Sequence, residues 1–268
     1  MLLKRILTAI VGIPVIFVCV YFGEIPFFAL MLVVTFFCVL EYLSILKKYK
    51  PHTIVSLVMA VLFFITLVFS PYLYMATALV AVAMLLILFA VEVFRGKNIN
   101  FSITRISVSF VGAFFLPLAL VHMVYLRSFG NDILGMRLIF AIFITVWVLD
   151  TAAYAFGKML GKHKLAKKIS PKKTVEGAIA GVVFGVITFV ACRYIFMSDY
   201  FSVLQAIILG GIIAVVGQFS DLAESLIKRD GKIKDSGKLI PGHGGFLDRF
   251  DSYIFVAPVV YYVLLFLM

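Results

Sequence analysis

The sequence predicts an all-α, polytopic integral membrane protein with about nine transmembrane helices. Hydrophobic residues make up 64% of the 268-residue chain, and charged residues make up 14%. A soluble domain would carry roughly 25% charged residues. Apolar runs of about 20 residues, long enough to cross the hydrocarbon core of a bilayer, recur along the chain. A β-barrel is disfavoured because its strands would alternate polar and apolar residues over about ten positions.

Short polar or turn-forming breaks separate the predicted spans. Lys4 and Arg5 precede the first span as in a signal peptide, but no small-residue cleavage site follows, so we expect this span to be retained. The three cysteines lie within apolar runs and have neither disulfide-framework nor zinc-ligand spacing. The predicted spans are 6–23, 26–46, 53–70, 72–94, 104–126, 134–157, 174–197, 201–228 and 252–268.

The distribution of basic residues predicts the orientation. If the N-terminus is cytoplasmic, 21 of the 24 Lys and Arg residues fall in cytoplasmic segments, as the positive-inside rule requires. The C-terminus then lies outside. The basic cytoplasmic segments account for the net charge of +11, and they would be attracted to anionic lipid. We therefore expect no nucleic acid partner.

The two halves of the chain differ in their polar content. Residues 1–126, about five helices, are predicted to be a transmembrane scaffold or to make dimer contacts. Glu41 and Glu92 lie near span ends in this half and are expected to pair with nearby lysines or to reach the interface. Residues 127–268, about four helices with two basic cytoplasmic loops, are predicted to be the catalytic region.

The strongest candidate site is a set of acids in the polar segment 217–252. Asp221 and Glu224 are spaced i, i+3, so a helix places them on one face. A glycine-rich turn follows, and Asp248 and Asp251 then open the last span. Mg²⁺ binds carboxylate oxygens together with substrate phosphates. We therefore expect Asp221, Asp248 and Asp251 to hold Mg²⁺, with Glu224 as a further ligand or an orienting residue.

The basic residues of the same segment leave alternatives open. Asp248 could instead pair with Arg249 or Lys228, and Asp221 with Lys234. Lys228, Arg229 and Lys234 are predicted to clamp phosphate groups, with solvated loop charges as the alternative. His243, between glycines, is expected to fix the loop by a hydrogen bond rather than to act as a general base.

A second polar cluster surrounds the loop at 158–173. Asp150 lies within a predicted span, where a carboxylate is functional unless it is paired, here with Lys158. Ser170 and Pro171 have the pattern of an N-cap and a first helical residue. With Lys172 and Lys173 beside it, this helix start would bind anions, unless the lysines serve topology alone.

Several motifs resemble the signature of the phosphatidate cytidylyltransferases (CDP-diacylglycerol synthases). The likeness covers about residues 147–252, and the first half offers only hydropathy. The motifs are Asp150-x-x-Ala-Tyr154, Ser170-Pro-Lys172-Lys173-Thr174-x-Glu176-Gly177, Ser225-Leu-Ile-Lys228-Arg229, Lys234-Asp235-Ser236-Gly237, Pro241-Gly-His243-Gly-Gly and Asp248-Arg249-Phe-Asp251-Ser252.

The resemblance implies transfer of CMP from CTP to phosphatidic acid, giving CDP-diacylglycerol and pyrophosphate in phospholipid biosynthesis. It also implies a homodimer in the bacterial inner membrane with its active site facing the cytoplasm. The catalytic residues would be Asp221, Asp248, Asp251 and Lys228. The substrate-binding residues would be Asp150, Ser170, Lys172, Lys173, Thr174, Glu224, Ser225, Arg229, Lys234, Asp235, His243 and Arg249.

Two other functions are weighed against this one. A CTP-dependent polyprenol or dolichol kinase has similar Lys-Asp and His-Gly-Gly segments, but the complete pattern through Asp251 argues against it. A secondary transporter could use Asp150 and Glu224 as coupling carboxylates, but the sequence shows no inverted repeat. The Asp-Gly-x-x-Ala-Arg pattern of CDP-alcohol phosphotransferases is absent.

Overall fold

The protein is built almost entirely from helices, which confirms the all-α prediction. A computed structural model describes residues 2–70, 73–95, 99–242 and 244–267. The elements are α1 (Leu2–Phe22), α2 (Glu24–Ile45), α3 (Thr53–Phe69), α4 (Leu73–Phe94), α5 (Ser102–Phe110), α6 (Leu116–Arg127), α7 (Asp132–Met159), β1 (Lys164–Ala166), β2 (Ser170–Thr174), α8 (Val175–Phe196), α9 (Val203–Asp230) and α10 (Leu247–Leu267).

Seven helices in the described ranges are long and apolar enough to cross a bilayer. One of them is formed by α5 and α6 together, because the π-helical segment Val111–Phe115 joins them without a break. Ile10–Phe22 of α1 and the whole of α3 are apolar but shorter. A polytopic membrane protein is therefore confirmed. The count of nine spans and the location of the two termini stay predictions.

The chain forms two compact units, each assembled from separate stretches of sequence. The predicted division of function after residue 126 stays a prediction. The first unit comprises Met1–Val15, Phe27–Val124 and Ile227–Phe250, and the second comprises Ile16–Pro26, Tyr125–Leu226 and Asp251–Met268.

In the first unit, a buried ion-pair cluster joins α4 to α5. Glu92 binds Arg105, and its Oε2 atom lies 2.9 Å from Nε2 of His52. Burial lowers the pKa of His52 and so disfavours its charged form. The positive charge that is always present beside Glu92 is therefore that of Arg105. The expectation that Glu92 pairs with lysines or reaches the interface is therefore wrong. A buried carboxylate needs a charged or hydrogen-bonding partner, and Arg105 on the next helix provides it.

In the second unit, α8 packs against α7 and α9 through glycines at four-residue intervals. A Cβ atom on Gly177 would lie 2.5 Å from the carbonyl oxygen of Ala153 in α7, and one on Gly185 would lie 2.8 Å from Cβ of Ala214 in α9. Small residues at this spacing let helix backbones approach closely in a membrane. The stripe thus fixes where α8 begins relative to α7.

An antiparallel hairpin of β1 and β2 precedes α8. Ser170 and Pro171 lie in β2, so the prediction that they begin a helix is wrong. The N-cap is Thr174, whose hydroxyl oxygen accepts a hydrogen bond from the N–H of Gly177 at 3.2 Å. Pro171 is tolerated in the strand because each strand of a two-stranded hairpin has an edge at which no ladder N–H is required.

Candidate active site

Three carboxylates come together in the second unit. Asp221 and Glu224 lie one turn apart on α9, and Asp251 lies in the first turns of α10. One oxygen of each lies within 4.8 Å of the others. Glu224 is buried, whereas Asp221 and Asp251 are partly exposed. We call Asp221, Glu224 and Asp251 the acidic cluster.

Contacts between α9 and α10 hold the acidic cluster together. Ser220 donates a hydrogen bond to the backbone carbonyl of Asp251, and its hydroxyl accepts one from the N–H of Phe255 at 3.3 Å. The rings of Phe219 and Phe255 stack with their centroids 5.8 Å apart. Ser220 directly precedes Asp221, so these bonds fix both chain segments that carry the carboxylates.

Lys173 brings a positive charge to the acidic cluster. It lies in β2, and its ammonium group donates a hydrogen bond to Oδ2 of Asp221. Gly157 and Gly161 leave room for the Thr174 side chain beside them, since a Cβ atom on Gly157 would lie 3.0 Å from its hydroxyl oxygen. The end of α7, the hairpin and the start of α8 therefore set the position of Lys173.

Asp150 of α7 is a further acid that acts on the acidic cluster. It is exposed and interacts electrostatically with Asp251. Neighbouring carboxylates repel each other unless a cation compensates their negative charge. The region around the acidic cluster is therefore suited to a cation.

Asp248 has its own set of partners in the first unit. Its carboxylate accepts hydrogen bonds from Nζ of Lys228 at 2.7 Å, from the N–H of Ser236 at 2.9 Å and from the N–H of Gly245 at 3.0 Å. Pairing of Asp248 with Lys228 was one of the alternatives left open by the sequence. Whether Asp248 also binds a metal ion stays a prediction.

The other predicted substrate-binding residues are placed as follows. Arg229 donates a hydrogen bond from Nη1 to the carbonyl of Ile233 at 3.0 Å. Ser225 is buried and Ser170 is partly exposed. His243 lies outside the described residues. Those exposed to solvent are Lys172, Arg229, Lys234, Asp235 and Arg249.

Sequence reasoning missed two polar residues that organise the loop before α10. Glu41 was expected to pair with a lysine or to reach the interface; it is instead buried and accepts a hydrogen bond from the hydroxyl of Ser236 at 2.7 Å. Ser236 was noticed only as part of a motif. A carboxylate within an apolar run is a default functional candidate, and that rule could have singled out Glu41.

The chain is similar in sequence to known proteins over nearly its whole length. The sequence model described as the cytidylyltransferase family matches residues 3–267. The matched range covers nearly the whole chain, including the acidic cluster, the hairpin and the loop before α10.

Three bacterial relatives, each named phosphatidate cytidylyltransferase, are similar to this chain. The protein of Bacillus subtilis (strain 168) is 33% identical over 269 residues, which is 97% of each chain. That of Staphylococcus haemolyticus (strain JCSC1435) is 37% identical over 182 residues, 67% of this chain and 66% of its own. That of Staphylococcus aureus (strain COL) is 47% identical over 126 residues, 47% of this chain and 48% of its own.

Proposed function

Because this chain belongs to the cytidylyltransferase family, we propose that it is a phosphatidate cytidylyltransferase of the bacterial membrane. It transfers CMP from CTP to phosphatidic acid and releases pyrophosphate. The observation that carries this proposal is the acidic cluster with Lys173 bonded to it, in a chain similar over 97% of its length to a protein of that name. The product, CDP-diacylglycerol, is an intermediate of phospholipid synthesis.

The reaction requires no covalent enzyme intermediate. A phosphate oxygen of phosphatidic acid attacks the α-phosphorus of CTP, a new P–O bond forms, and the P–O bond to pyrophosphate breaks. The lipid phosphate is already ionised at neutral pH, so we assign no general base. What the protein has to supply is orientation of the two substrates and stabilisation of the negative charge on the transferring phosphate.

The acidic cluster fits a divalent cation. Carboxylate oxygens are ligands that Mg²⁺ prefers, and one carboxylate oxygen of each of the three residues lies within 4.8 Å of the others. We propose that Asp221 and Asp251 hold Mg²⁺, with Glu224 as a ligand or an orienting residue. Bound there, the ion would neutralise charge on the triphosphate and on the pyrophosphate leaving group.

Asp248 and Lys228 form the second part of the proposed catalytic set. The sequence predicts Asp248 as a metal ligand, and that role is retained as a proposal. Its three hydrogen bonds, including the one from Lys228 at 2.7 Å, hold its carboxylate in one orientation. Such outer partners orient a ligand and keep it ionised.

The basic residues are proposed to bind the triphosphate. Lys173 already makes a charge-assisted hydrogen bond to a carboxylate, and a phosphate oxygen is an equivalent acceptor. We assign the same task to Lys172 on the hairpin. Further phosphate and substrate contacts are proposed for Asp150, Ser170, Thr174, Ser225, Arg229, Lys234, Asp235, His243 and Arg249.

The orientation of the active site in the membrane is proposed from the distribution of charge. The strong bias of Lys and Arg to alternate loops favours a cytoplasmic active site, where CTP is available. Phosphatidic acid would enter from the bilayer between helices. We further propose a homodimer, as the resemblance to the family implies, with residues 1–126 as a scaffold.

A product assay tests the function directly. Purified protein in detergent is incubated with CTP, Mg²⁺ and phosphatidic acid, or with a polyprenol in its place. We expect pyrophosphate and a liponucleotide with phosphatidic acid and no product with the polyprenol. Formation of CDP and a polyprenol phosphate would show a lipid kinase instead. Solute counterflow into proteoliposomes without nucleotide would indicate the transporter.

A further inference from the structure

Glu41 makes an unusual set of contacts for a residue in the scaffold half. It lies in the last turns of α2, and only 3% of its surface is exposed. Its carboxylate accepts hydrogen bonds from the hydroxyl of Ser236 at 2.7 Å and from the N–H groups of Phe246 at 3.1 Å and Leu247 at 2.9 Å. All three donors belong to the segment 236–247, about 200 positions further along the chain.

Two of these bonds satisfy the start of α10, which begins at Leu247. The first N–H groups of a helix have no partner within the helix and are usually capped by a neighbouring side chain. Here a carboxylate from another helix accepts them, and negative charge at this end also complements the helix dipole. Glu41 therefore fixes where α10 begins, and Asp248 is its second residue.

Ser236 links Glu41 to Asp248. Its hydroxyl donates to Glu41 and accepts from the N–H of Asp248 at 3.3 Å, while its own N–H donates to the Asp248 carboxylate at 2.9 Å. Two glycines allow this close arrangement. A Cβ atom on Gly237 would lie 2.5 Å from Oε1 of Glu41, and one on Gly245 would overlap both the Glu41 carboxylate and the Ser236 hydroxyl.

We propose that Glu41 is a positioning residue for the cytidylyl transfer reaction. It acts through Ser236 and the start of α10 to hold the Asp248 carboxylate in the orientation in which Lys228 binds it. This inference rests on the proposed function. It assigns to the first half of the chain a part in the chemistry, which hydropathy alone did not suggest.

Glu41→Gln tests this role, because the amide keeps the size of the side chain but replaces one acceptor oxygen with a donor. We expect kcat to fall about 10- to 100-fold, as for other residues that orient a ligand, with a normal yield of folded protein. Glu92→Gln is the matched control, because Glu92 is a carboxylate of the same unit whose side chain is only 9% exposed and is paired with Arg105, away from the segment 236–247. Its kcat per folded protein should equal that of the unsubstituted enzyme.

A double-mutant cycle with Ser236→Ala tests whether Glu41 acts through Ser236. Residues in one hydrogen-bond network give non-additive effects. We therefore expect the double variant to lose about as much turnover as the more damaging single variant. Losses that multiply would show that Glu41 acts independently of Ser236, and turnover of Glu41→Gln equal to that of the unsubstituted enzyme would overturn the proposal.

Hydrogen exchange measured by mass spectrometry tests the inference without any activity. In Glu41→Gln, peptides covering 236–248 should exchange faster, while peptides of α3 should not change. Unchanged exchange at 236–248 would overturn the proposal. If the unsubstituted protein makes no liponucleotide, the proposed function is wrong. The hydrogen-exchange comparison would still show whether Glu41 holds the segment 236–248 in place.

Discussion

The ammonium group of Lys173 donates a hydrogen bond to the carboxylate of Asp221, so β2 contributes directly to the charge balance of the acidic cluster. Lys173 is followed by Thr174, the N-cap of α8, and its backbone position is therefore fixed by a helix start. A lysine side chain with four rotatable bonds can still exchange a carboxylate for a phosphate. This arrangement suits a residue that meets an incoming triphosphate.

Lys173→Ala should raise the KM for CTP by about tenfold, which corresponds to a charge-assisted hydrogen bond worth roughly 1.5 kcal/mol. The same change removes a cation that competes with metal for Asp221, so half-maximal activity should require less Mg²⁺. Both are measured in steady-state assays. Lys167→Ala is the matched control, because Lys167 is an exposed lysine in the turn of the same hairpin. An unchanged KM for CTP would show that Lys173 pairs with Asp221 without binding the triphosphate.

Removal of divalent metal should silence the enzyme reversibly. We expect EDTA to abolish pyrophosphate release and added Mg²⁺ to restore it, because without a bound cation the carboxylates of the acidic cluster would repel the triphosphate. Asp221→Asn and Asp251→Asn should each lower kcat by about 100-fold or more, the scale of a lost electrostatic contact to the reacting centre. Asp199→Asn, an exposed acid, is the control. Full activity in EDTA, or in either site variant, contradicts the assignment.

Asp248→Asn should also remove nearly all turnover, and unlike Asp251→Asn it should loosen the segment 236–248. Its carboxylate accepts from Lys228 and from two backbone N–H groups, so the amide would lose the ionic bond and turn a donor toward existing donors. We expect faster hydrogen exchange around 236–248 in this variant and none of that effect in Asp251→Asn. Activity above about a tenth of the unsubstituted level would argue against a catalytic role, since such roles cost on the order of 10²-fold or more.

Hydropathy and short-range spacing predicted the features that depend on neighbouring residues. The membrane class follows from apolar runs, and the i, i+3 spacing of Asp221 and Glu224 does place both on one face of α9. The predicted span 174–197 begins within one residue of α8, but the helix start expected at Ser170 and Pro171 is wrong, because these residues match an N-cap pattern locally and yet lie in β2. The N-cap is instead Thr174, whose hydroxyl accepts a hydrogen bond from the N–H of Gly177. The sequence offers both positions as N-caps, and the pairing of β1 with β2 excludes the earlier one because it makes that segment a strand.

Contacts between distant parts of the chain could not be predicted in this way. Glu41 and Ser236 are separated by 195 positions, and nothing in the sequence around either residue names the other. Glu92 likewise pairs with Arg105 and not, as the sequence had led us to expect, with a lysine. The glycine stripe of α8 is different, because Gly177, Gly181 and Gly185 recur every four residues and that spacing is visible in the sequence.

Gly177→Ala should lower both stability and substrate affinity. The new methyl group would lie 2.5 Å from the backbone carbonyl of Ala153, and overpacking of this kind costs roughly 1–3 kcal/mol. The displaced start of α8 would also move Lys173 away from Asp221, so the KM for CTP should rise. Thermal unfolding in detergent and steady-state assays measure the two effects.

Gly211→Ala is the matched control on α9. A Cβ atom there meets only Cγ2 of Val186, at 3.9 Å, which is an ordinary contact. Alanine is favoured over glycine within a helix by roughly 0.5–1 kcal/mol, so this variant should unfold at the same temperature or higher, with unchanged KM. If Gly177→Ala behaves like Gly211→Ala, then close packing of α8 on α7 does not set the position of Lys173.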